Sequence, residues 1–255
     1  MNRSVLAIAA ALTIALPVLA DPVKIGVASE PYPPFTSLDA NGTWVGWEID
    51  FMNAVCKQAE LDCVITPTAW DGIIPSLTSG QIDVIMASMS ITEERAKIID
   101  FSDSYYNSHA IVIVPKDSSA TADPEGMTGK IIGIQVGTVL EDYARKYFTP
   151  VAAEINSYQT MNEAVLDLNA GRVDAVLDDS IALDAFLKSE TGQACCKVAG
   201  AVMSDPDILG HGVGFGLRKG DPILAKLNAA IQATRADGTY DAITKKYFDF
   251  DISGQ

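Results

Sequence analysis

The sequence predicts an α/β protein built from two lobes, each a mainly parallel sheet flanked by helices. Short apolar runs alternate with segments of helical periodicity, an order typical of parallel strands joined by crossover helices. A pattern also recurs within the chain. Residues 73–86 and residues 164–177 each combine a helix, a glycine, an Ile-Asp or Val-Asp pair and an apolar strand. Glycine at a helix end explains each copy locally, and the two copies together suggest two lobes of related construction.

The first part of the chain supplies the elements of one predicted sheet. Alternation and apolar runs indicate strands at residues 24–28, 64–67 and 82–86. Apolar residues at helical spacing predict a helix over residues 47–59, and a shorter helix follows at residues 73–78. The Asn41-Gly42 pair favours a hairpin between two short strands.

The second part repeats this order after a loop at residues 115–129 rich in Ser, Asp, Pro and Gly. Strands are predicted at residues 111–114, 131–134 and 173–177, with a helix from about Thr138 to Phe148. Residues 210–218 are interpreted as a glycine-rich strand, since these glycines lack the strand–GxGxxG–helix order of a phosphate loop. Helices at residues 222–236 and 238–248 complete the chain.

The beginning and the charge of the chain indicate an exported protein. Residues 1–20 have a basic start, a short apolar run and Val18-x-Ala20, which is the pattern of a secretory signal peptide. Removing them takes away one arginine and no acid, so the mature chain is one unit more negative than the −15 of the whole. This excess of acids argues against nucleic acid and anionic membrane surfaces as partners.

Four cysteines and two histidines limit the covalent and metal chemistry. In an exported protein Cys56 and Cys63 suit a disulfide that ties a helix end to the next strand. The adjacent Cys195 and Cys196 allow a vicinal ring, two free thiols, or pairing with another chain. A metal site is not indicated, because neither His109 nor His211 lies beside the cysteines, and no cofactor is expected.

The stretch from Met86 to Arg95 has the composition of an anion site. It follows a buried strand and leads into a short helix that begins near Ser90 or Thr92. Hydroxyl side chains and free backbone N–H groups at such a junction can hold an anion, and Arg95 can bind a carboxylate with two parallel hydrogen bonds. The alternative is that these hydroxyls only cap the helix while Arg95 lies in solvent.

Two further junctions have the same position relative to predicted strands. Thr138 lies near a helix N-terminus after one strand, and the Asp178-Asp179-Ser180 cluster follows another. Ligands of open α/β sheets bind outside the carboxyl ends of the strands, so Ser88, Thr138 and Asp179 are candidate binding residues.

With these motifs, the chain resembles the periplasmic solute-binding proteins of polar amino-acid ABC transporters (solute-binding family 3), and within them the lysine/arginine/ornithine- and histidine-binding branch. The resemblance runs from about Lys24 to Asp251 and is strongest at residues 46–50, 72–77, 88–95 and 235–240. It implies a type II periplasmic-binding-protein fold whose lobes, joined by two crossover strands, close on the ligand. Residues 21–109 with 209–255 would form lobe one, and residues 110–208 lobe two. The Cys56/Cys63 spacing resembles that branch's disulfide.

The resemblance also implies roles for individual residues. Arg95 would bind the ligand α-carboxylate, helped by Ser90 and the Thr138 backbone, and Asp179 with the region of Ala87 and Ser88 would bind the α-ammonium. The side chain of the ligand would be contacted by the remaining predicted residues: Tyr32 and Trp70 by stacking, Gln135 from lobe two, and Glu30 by charge.

Two departures from the branch bear on the ligand. The branch's usual acid three residues before Tyr32 is replaced by Ser29, and the adjacent Glu30 is expected to supply that charge. The alternative is that Glu30, on the proline-rich turn, faces solvent. A polar residue that helps to hold the carboxylate falls at Leu140. We expect arginine, lysine or ornithine as ligand, with a neutral polar amino acid such as glutamine, or an opine, as the alternative.

The expected function is therefore capture of a free amino acid in the periplasm and its delivery, by a monomer, to the membrane permease of an ABC importer. The competing hypothesis is a dehydratase-type enzyme on the same scaffold. Such an enzyme needs an acid or base with a tuned pKa, and nothing in the sequence around Glu30 or Glu48 indicates one. A sensor module that reports amino acids to a receptor is a third hypothesis.

Overall fold

The computed structural model describes residues 21–254 and contains two separate five-stranded sheets, each with helices packed around it. The predicted signal peptide lies outside the described residues. Within those residues, no helix combines the length and apolar character needed to cross a bilayer. We call the unit around each sheet a lobe.

The first part of the chain alternates strands and helices much as predicted. Its elements are β1 (Val23–Ala28), β2 (Ser37–Leu38), β3 (Trp44–Val45), α1 (Trp47–Gln58), β4 (Cys63–Thr68), a 3₁₀ turn (Trp70–Gly72), α2 (Ile73–Thr78), β5 (Val84–Ile85), α3 (Glu93–Ala96) and β6 (Asp100–Phe101).

The chain then crosses to the second sheet and later returns to the first. The elements are β7 (Ala110–Pro115), β8 (Ile131–Gln135), α4 (Val139–Tyr147), β9 (Glu154–Tyr158), α5 (Met161–Asn169), β10 (Ala175–Asp179), α6 (Ser180–Lys188), α7 (Glu190–Cys195), β11 (Cys196–Ala201), α8 (Pro206–Leu209), β12 (Gly216–Leu217), α9 (Ile223–Ala236) and α10 (Thr239–Tyr247).

Both sheets are parallel in their centre and antiparallel where the chain has changed lobes. The first has the order β4-β1-β5-β12-β6, with β1 parallel to β4 and β5, and β12 antiparallel to its two neighbours. The second has the order β11-β7-β10-β8-β9, with β8 parallel to β9 and β10, and β7 antiparallel to its neighbours. The chain crosses between sheets after β6 and again after β11, and the proposed lobe boundaries at residues 109 and 209 stay a prediction.

Each lobe has its own core. In the first lobe, Trp47 and Phe51 of α1 stack at 5.0 Å between ring centroids, and Trp47 donates a hydrogen bond to Thr244 of α10. In the second lobe, the buried faces of β8 and β10 pack against Tyr143 of α4 on one side and Val165 of α5 on the other. These rigid cores hold the strand ends, and therefore the loops that follow them, in fixed positions.

The structure corrects three sequence-based expectations about strands. The glycine-rich segment 210–218 is extended only at β12, because Gly210 and Gly212 have φ values of +85° and +86°, outside the β region. The strands β9 and β11 were not predicted. Both lie at edges of the second sheet, where partly exposed residues interrupt the apolar run that identifies a strand.

The cysteines form two disulfides. Cys56 and Cys63 are bonded as predicted and join the end of α1 to the start of β4. Cys195 and Cys196 are bonded to each other where α7 meets β11, so the vicinal ring is the correct one of the three alternatives.

We expect the first disulfide to stabilise the fold more than the second. The Cys56–Cys63 bond closes a loop with a sequence separation of 7, which restricts the unfolded chain by about 2–3 kcal/mol, whereas Cys195–Cys196 closes no comparable loop. The double variant Cys56→Ala/Cys63→Ala should lose that much more unfolding free energy, in urea titrations, than Cys195→Ala/Cys196→Ala.

The two double variants are matched controls, because each removes one buried and one partly buried cysteine. Equal losses in the two variants would contradict the loop-closure argument.

Candidate functional site

A cavity of about 320 Å³ lies between the two lobes and is lined by the segments that follow their strands. Its lining comes from the ends of β1 and β5 in the first lobe, from the ends of β8 and β10 in the second, and from residues 106–110 where the chain crosses. This is the position at which open α/β sheets bind ligands, and the volume lies near the lower end of the range for small-molecule sites.

All ten residues predicted to contact a ligand line this one cavity. They are Glu30, Tyr32, Trp70, Ala87, Ser88, Ser90, Arg95, Gln135, Thr138 and Asp179. Leu140, the apolar residue at a position where the family has a polar one, also lines it, whereas Ser29 is exposed and outside the lining.

Arg95 is a cation that faces the cavity without a carboxylate of its own. Thr92 caps α3 by accepting the Arg95 N–H at 3.2 Å, and the guanidinium donates to the Ser90 carbonyl at 3.0 Å. Burial lowers the pKa of Arg95 to about 10, which leaves it charged at neutral pH. Among the ion pairs of residues 21–254 none includes Arg95, so the site can accept an anion.

Trp70 covers Arg95 and spans the cleft. The guanidinium carbon lies 5.5 Å from the centre of the indole ring, within the range of a cation–π contact. The indole N–H donates to the Gly137 carbonyl of the second lobe at 3.3 Å, and the Trp70 backbone N–H donates to Glu30 at 3.1 Å. Glu30 therefore lies at the cavity wall, with one oxygen occupied by backbone.

The turn between β8 and α4 is held by hydrogen bonds among its own residues. The Thr138 hydroxyl donates to the Gln135 carbonyl and accepts the Glu141 N–H, so it caps α4. Glu141 in turn accepts the Gly137 N–H at 2.7 Å and pairs with Arg145. Burial raises the pKa of Glu141, but these bonds outweigh it and lower the pKa below its usual value. The ionised Glu141 thus holds the turn in place.

Asp178, which is buried, and Asp179, which is partly buried, form an acidic pair at the end of β10. One Asp179 oxygen caps α6 by accepting the Ile181 N–H at 2.8 Å, and Ser108 donates to the other. Burial raises the pKa of Asp179, although these hydrogen bonds oppose it. Asp179 therefore caps a helix and at the same time lines the cavity.

Asp178 was not predicted as a site residue. It is only 2% exposed and accepts the Tyr32 hydroxyl at 2.9 Å across the cleft. Burial, with the charge of Asp179 beside it, raises the pKa of Asp178 to about 7. The Asp178-Asp179-Ser180 cluster was visible in the sequence, but the family resemblance assigned a ligand role only to Asp179.

The expectation that no acid near the site has a tuned pKa is wrong for Glu48. Glu48 is fully buried in the first turn of α1 and accepts hydrogen bonds from the Ser88 N–H, the Ser88 hydroxyl and the Tyr105 hydroxyl. Burial raises its pKa despite these bonds. Ser88 has a φ of +51°, so Glu48 holds a strained backbone position directly beneath the cavity.

No group of three or more His, Cys, Asp or Glu side chains within residues 21–254 is arranged to hold a metal ion. The arrangement is instead that of a site for a molecule with separated charges. Arg95 lies on the first-lobe side, Asp178 and Asp179 lie on the second-lobe side, and Glu30 adds a carboxylate from the first lobe.

Comparison with known proteins gives consistent results. The family model described as bacterial extracellular solute-binding proteins, family 3, matches residues 23–250. The chain is 40% identical to the L-arginine-binding protein of Pseudomonas aeruginosa, covering 91% of this chain and 90% of that one. It is 37% identical, over the full length of both, to the lysine/arginine/ornithine-binding periplasmic protein of Escherichia coli strain K12.

A solved structure supports the same architecture. An ancestral arginine-binding protein bound to arginine is similar with a TM-score of 0.82 and 35% identity, covering 90% of this chain and 99% of that one.

We expect Glu48 to make stability depend on pH. Because its pKa is raised in the folded state, folding favours the protonated form. The resulting stabilisation is complete below the unfolded pKa of about 4.3 and is lost as pH rises through the folded pKa. In urea unfolding, the free energy of unfolding of the wild type should therefore fall by up to about 1.4 kcal/mol per pH unit in this window, relative to that of Glu48→Gln.

Glu154→Gln, which neutralises an exposed acid on β9, serves as the control and should follow wild type. A constant difference between wild type and Glu48→Gln from pH 4 to pH 8 would show that Glu48 does not titrate abnormally.

Proposed function

Because the chain belongs to the bacterial extracellular solute-binding proteins of family 3, we propose that it captures a free amino acid between its two lobes. It then delivers the amino acid to the membrane permease of an ABC importer. The relatives with the names reported above bind arginine, or lysine, arginine and ornithine, which supports this class of ligand.

The separation of charges across the cavity supports a zwitterionic ligand. Arg95 has no carboxylate partner among the described residues and would bind the α-carboxylate, with the Ser90 and Thr138 region adding hydrogen bonds. Asp179 would bind the α-ammonium from the other lobe, with Ala87 and Ser88 beside it. An amino acid held in this way joins the lobes through both of its charged groups.

The observation that carries the preference for a basic amino acid is the excess of acids in the lining. Glu30, Asp178 and Asp179 line the cavity, and Arg95 is the only lysine or arginine among the described lining residues. A zwitterion adds no net charge, so this excess would remain unbalanced in a closed, poorly hydrated site. A cationic side chain balances part of it, which favours arginine, lysine or ornithine over glutamine.

Contacts across the cleft support a closing mechanism. The Tyr32 hydroxyl donates to Asp178, and the Trp70 indole donates to the Gly137 carbonyl, so both of these first-lobe residues contact the second lobe. A ligand between them would lie against both rings and strengthen closure by contacting both lobes.

Export to the periplasm follows from the same proposal. One of the relatives is named as a periplasmic protein, and the pattern of residues 1–20 is that of a signal peptide. We propose that the mature chain acts there as a monomer.

Binding without turnover accounts for the acids better than the dehydratase hypothesis does. Glu48 has a raised pKa but does not line the cavity, so it cannot reach a reacting bond. Asp178 does line the cavity, but a buried carboxylate beside a second carboxylate is also the arrangement that a binding site for a cation needs, so its raised pKa does not require a catalytic role.

Incubation with each amino acid, followed by mass spectrometry, should recover the ligand unchanged, and a dehydrated product would contradict this part of the proposal.

We expect Arg95→Lys to weaken binding of arginine, lysine and ornithine at least tenfold, because an ammonium cannot form two parallel hydrogen bonds with a carboxylate. Arg95→Ala should lose about 2–5 kcal/mol, the range for removing one partner of a buried charge pair. Titration calorimetry measures both.

Arg172→Lys is the matched control, since Arg172 is exposed, pairs with Asp167 and lies outside the cavity. Unchanged affinity in Arg95→Ala would remove the carboxylate site from the proposal.

We also expect ligand binding to make the protein more compact. Small-angle scattering should give a smaller radius of gyration with arginine than without it.

The variant Asp179→Asn keeps an oxygen to cap α6 but removes the charge, so it should bind amino acids weakly while its fold stability stays unchanged. Normal binding in Asp179→Asn together with no compaction would indicate a site on one lobe only.

A further inference from the structure

One carboxylate oxygen of Asp178 opens onto the cavity and has no hydrogen-bond partner among the described residues. Asp178 is 2% exposed and lines the cavity, yet both of its hydrogen bonds, from the Tyr32 hydroxyl and the Asp179 N–H, fall on Oδ1. No hydrogen bond or ion pair of residues 21–254 involves Oδ2. A ligand that fills the cavity would bury this oxygen, so a ligand that brings a hydrogen-bond donor to it is favoured over one that does not.

The groups around Asp178 do not supply that donor. Tyr32 already donates to Oδ1, and Tyr106 has its side-chain hydrogen bond with Ser88 rather than with Asp178. Asp179 beside it is a second acid, and His109 lies nearer to Asp179 and Ser180. The protein thus surrounds Asp178 with neutral or negative groups.

We propose that Asp178 binds the cationic end of the ligand side chain and thereby selects basic amino acids; this inference rests on the proposed function of amino-acid capture. It assigns the selecting charge to the second lobe, whereas the sequence pointed to Glu30 in the first.

The position of Tyr32 supports this assignment. Its ring lines the cavity and its hydroxyl touches Asp178, so an extended side chain that lies along the ring toward the hydroxyl arrives at the carboxylate. A guanidinium or ammonium there can donate to Oδ2 while Oδ1 keeps its two existing bonds. The planar guanidinium gains in addition from the aromatic face.

The other two acids are less suited to this task. Asp179 is held by the α6 cap and by Ser108, a position that suits the α-ammonium next to the crossing segment. Glu30 is partly exposed and uses one oxygen to hold the Trp70 N–H. Asp178 alone combines burial, a rigid strand end and an unpartnered oxygen.

The test compares arginine with citrulline, which has nearly the same shape but a neutral end. Titration calorimetry on the full chain should show that wild type prefers arginine. Asp178→Asn keeps an acceptor for Tyr32 and removes only the charge, so arginine should bind at least about thirtyfold more weakly and citrulline within about threefold of wild type.

Three variants make the result specific. Asp184→Asn removes a charge from α6 outside the cavity and should keep the wild-type preference. Glu30→Gln should reduce the preference less than Asp178→Asn does. Asp178→Ser, which is also neutral and retains an acceptor, provides the same test should Asp178→Asn fail to fold.

The outcomes separate this inference from the function on which it rests. Wild type that binds neither arginine nor any other amino acid would overturn the proposed function. Wild type that binds arginine, with the preference intact in Asp178→Asn or lost only in Glu30→Gln, would overturn the role of Asp178 alone. Equal weakening of arginine and citrulline in Asp178→Asn would also overturn it, since Asp178 would then act on closure through Tyr32.

Discussion

The arrangement of this molecule depends on charges that the protein leaves unbalanced across one cavity. Arg95 faces the cavity from the first lobe without a carboxylate of its own, and two acids, the buried Asp178 and the partly buried Asp179, face it from the second. Pairing these groups directly with each other would neutralise them and close the cavity. Because they are instead kept apart by the helix caps and turns that hold them, the favourable pairing is available to a ligand with separated charges. Closure of the lobes and recognition of the ligand then have the same physical cause.

The α/β architecture is what keeps those groups apart. Each lobe has its own apolar core, so the ends of β5, β8 and β10 are rigid platforms, and the polar residues that follow them cannot collapse together. Beneath this layer, buried carboxylates hold the backbone of each platform. Glu48 binds Ser88 in the first lobe, and Glu141 binds Gly137 in the second. The site is therefore supported from both sides by groups that do not themselves face the cavity.

Much of this could be predicted from the sequence, because its signals are local. The strand-to-helix junctions at Ser88 and Thr138 follow from apolar runs and capping residues, and the family resemblance added Tyr32 and Trp70. The structure brings all of these residues to one cavity.

What could not be predicted depends on contacts between distant residues. The Tyr32–Asp178 bond joins positions 146 residues apart, and only that fold-dependent burial distinguishes Asp178 from an ordinary acid at a strand end. The burial of Glu48 and the positive φ of Ser88 likewise arise from packing, as does the pairing of the edge strands β9 and β11.

The central claim is that the cavity selects an amino acid with one more positive charge than a zwitterion. Thermal unfolding of ligand-free protein with each amino acid and with common opines tests it most directly, since it assumes no ligand in advance. A ligand at 100 times its dissociation constant stabilises the folded state by about 2.7 kcal/mol, which raises the melting temperature measurably. The account predicts the largest rise with arginine, lysine or ornithine, a smaller rise with glutamine and none with glutamate or aspartate. A higher melting temperature with glutamate or aspartate, or no change with any amino acid, would contradict this claim.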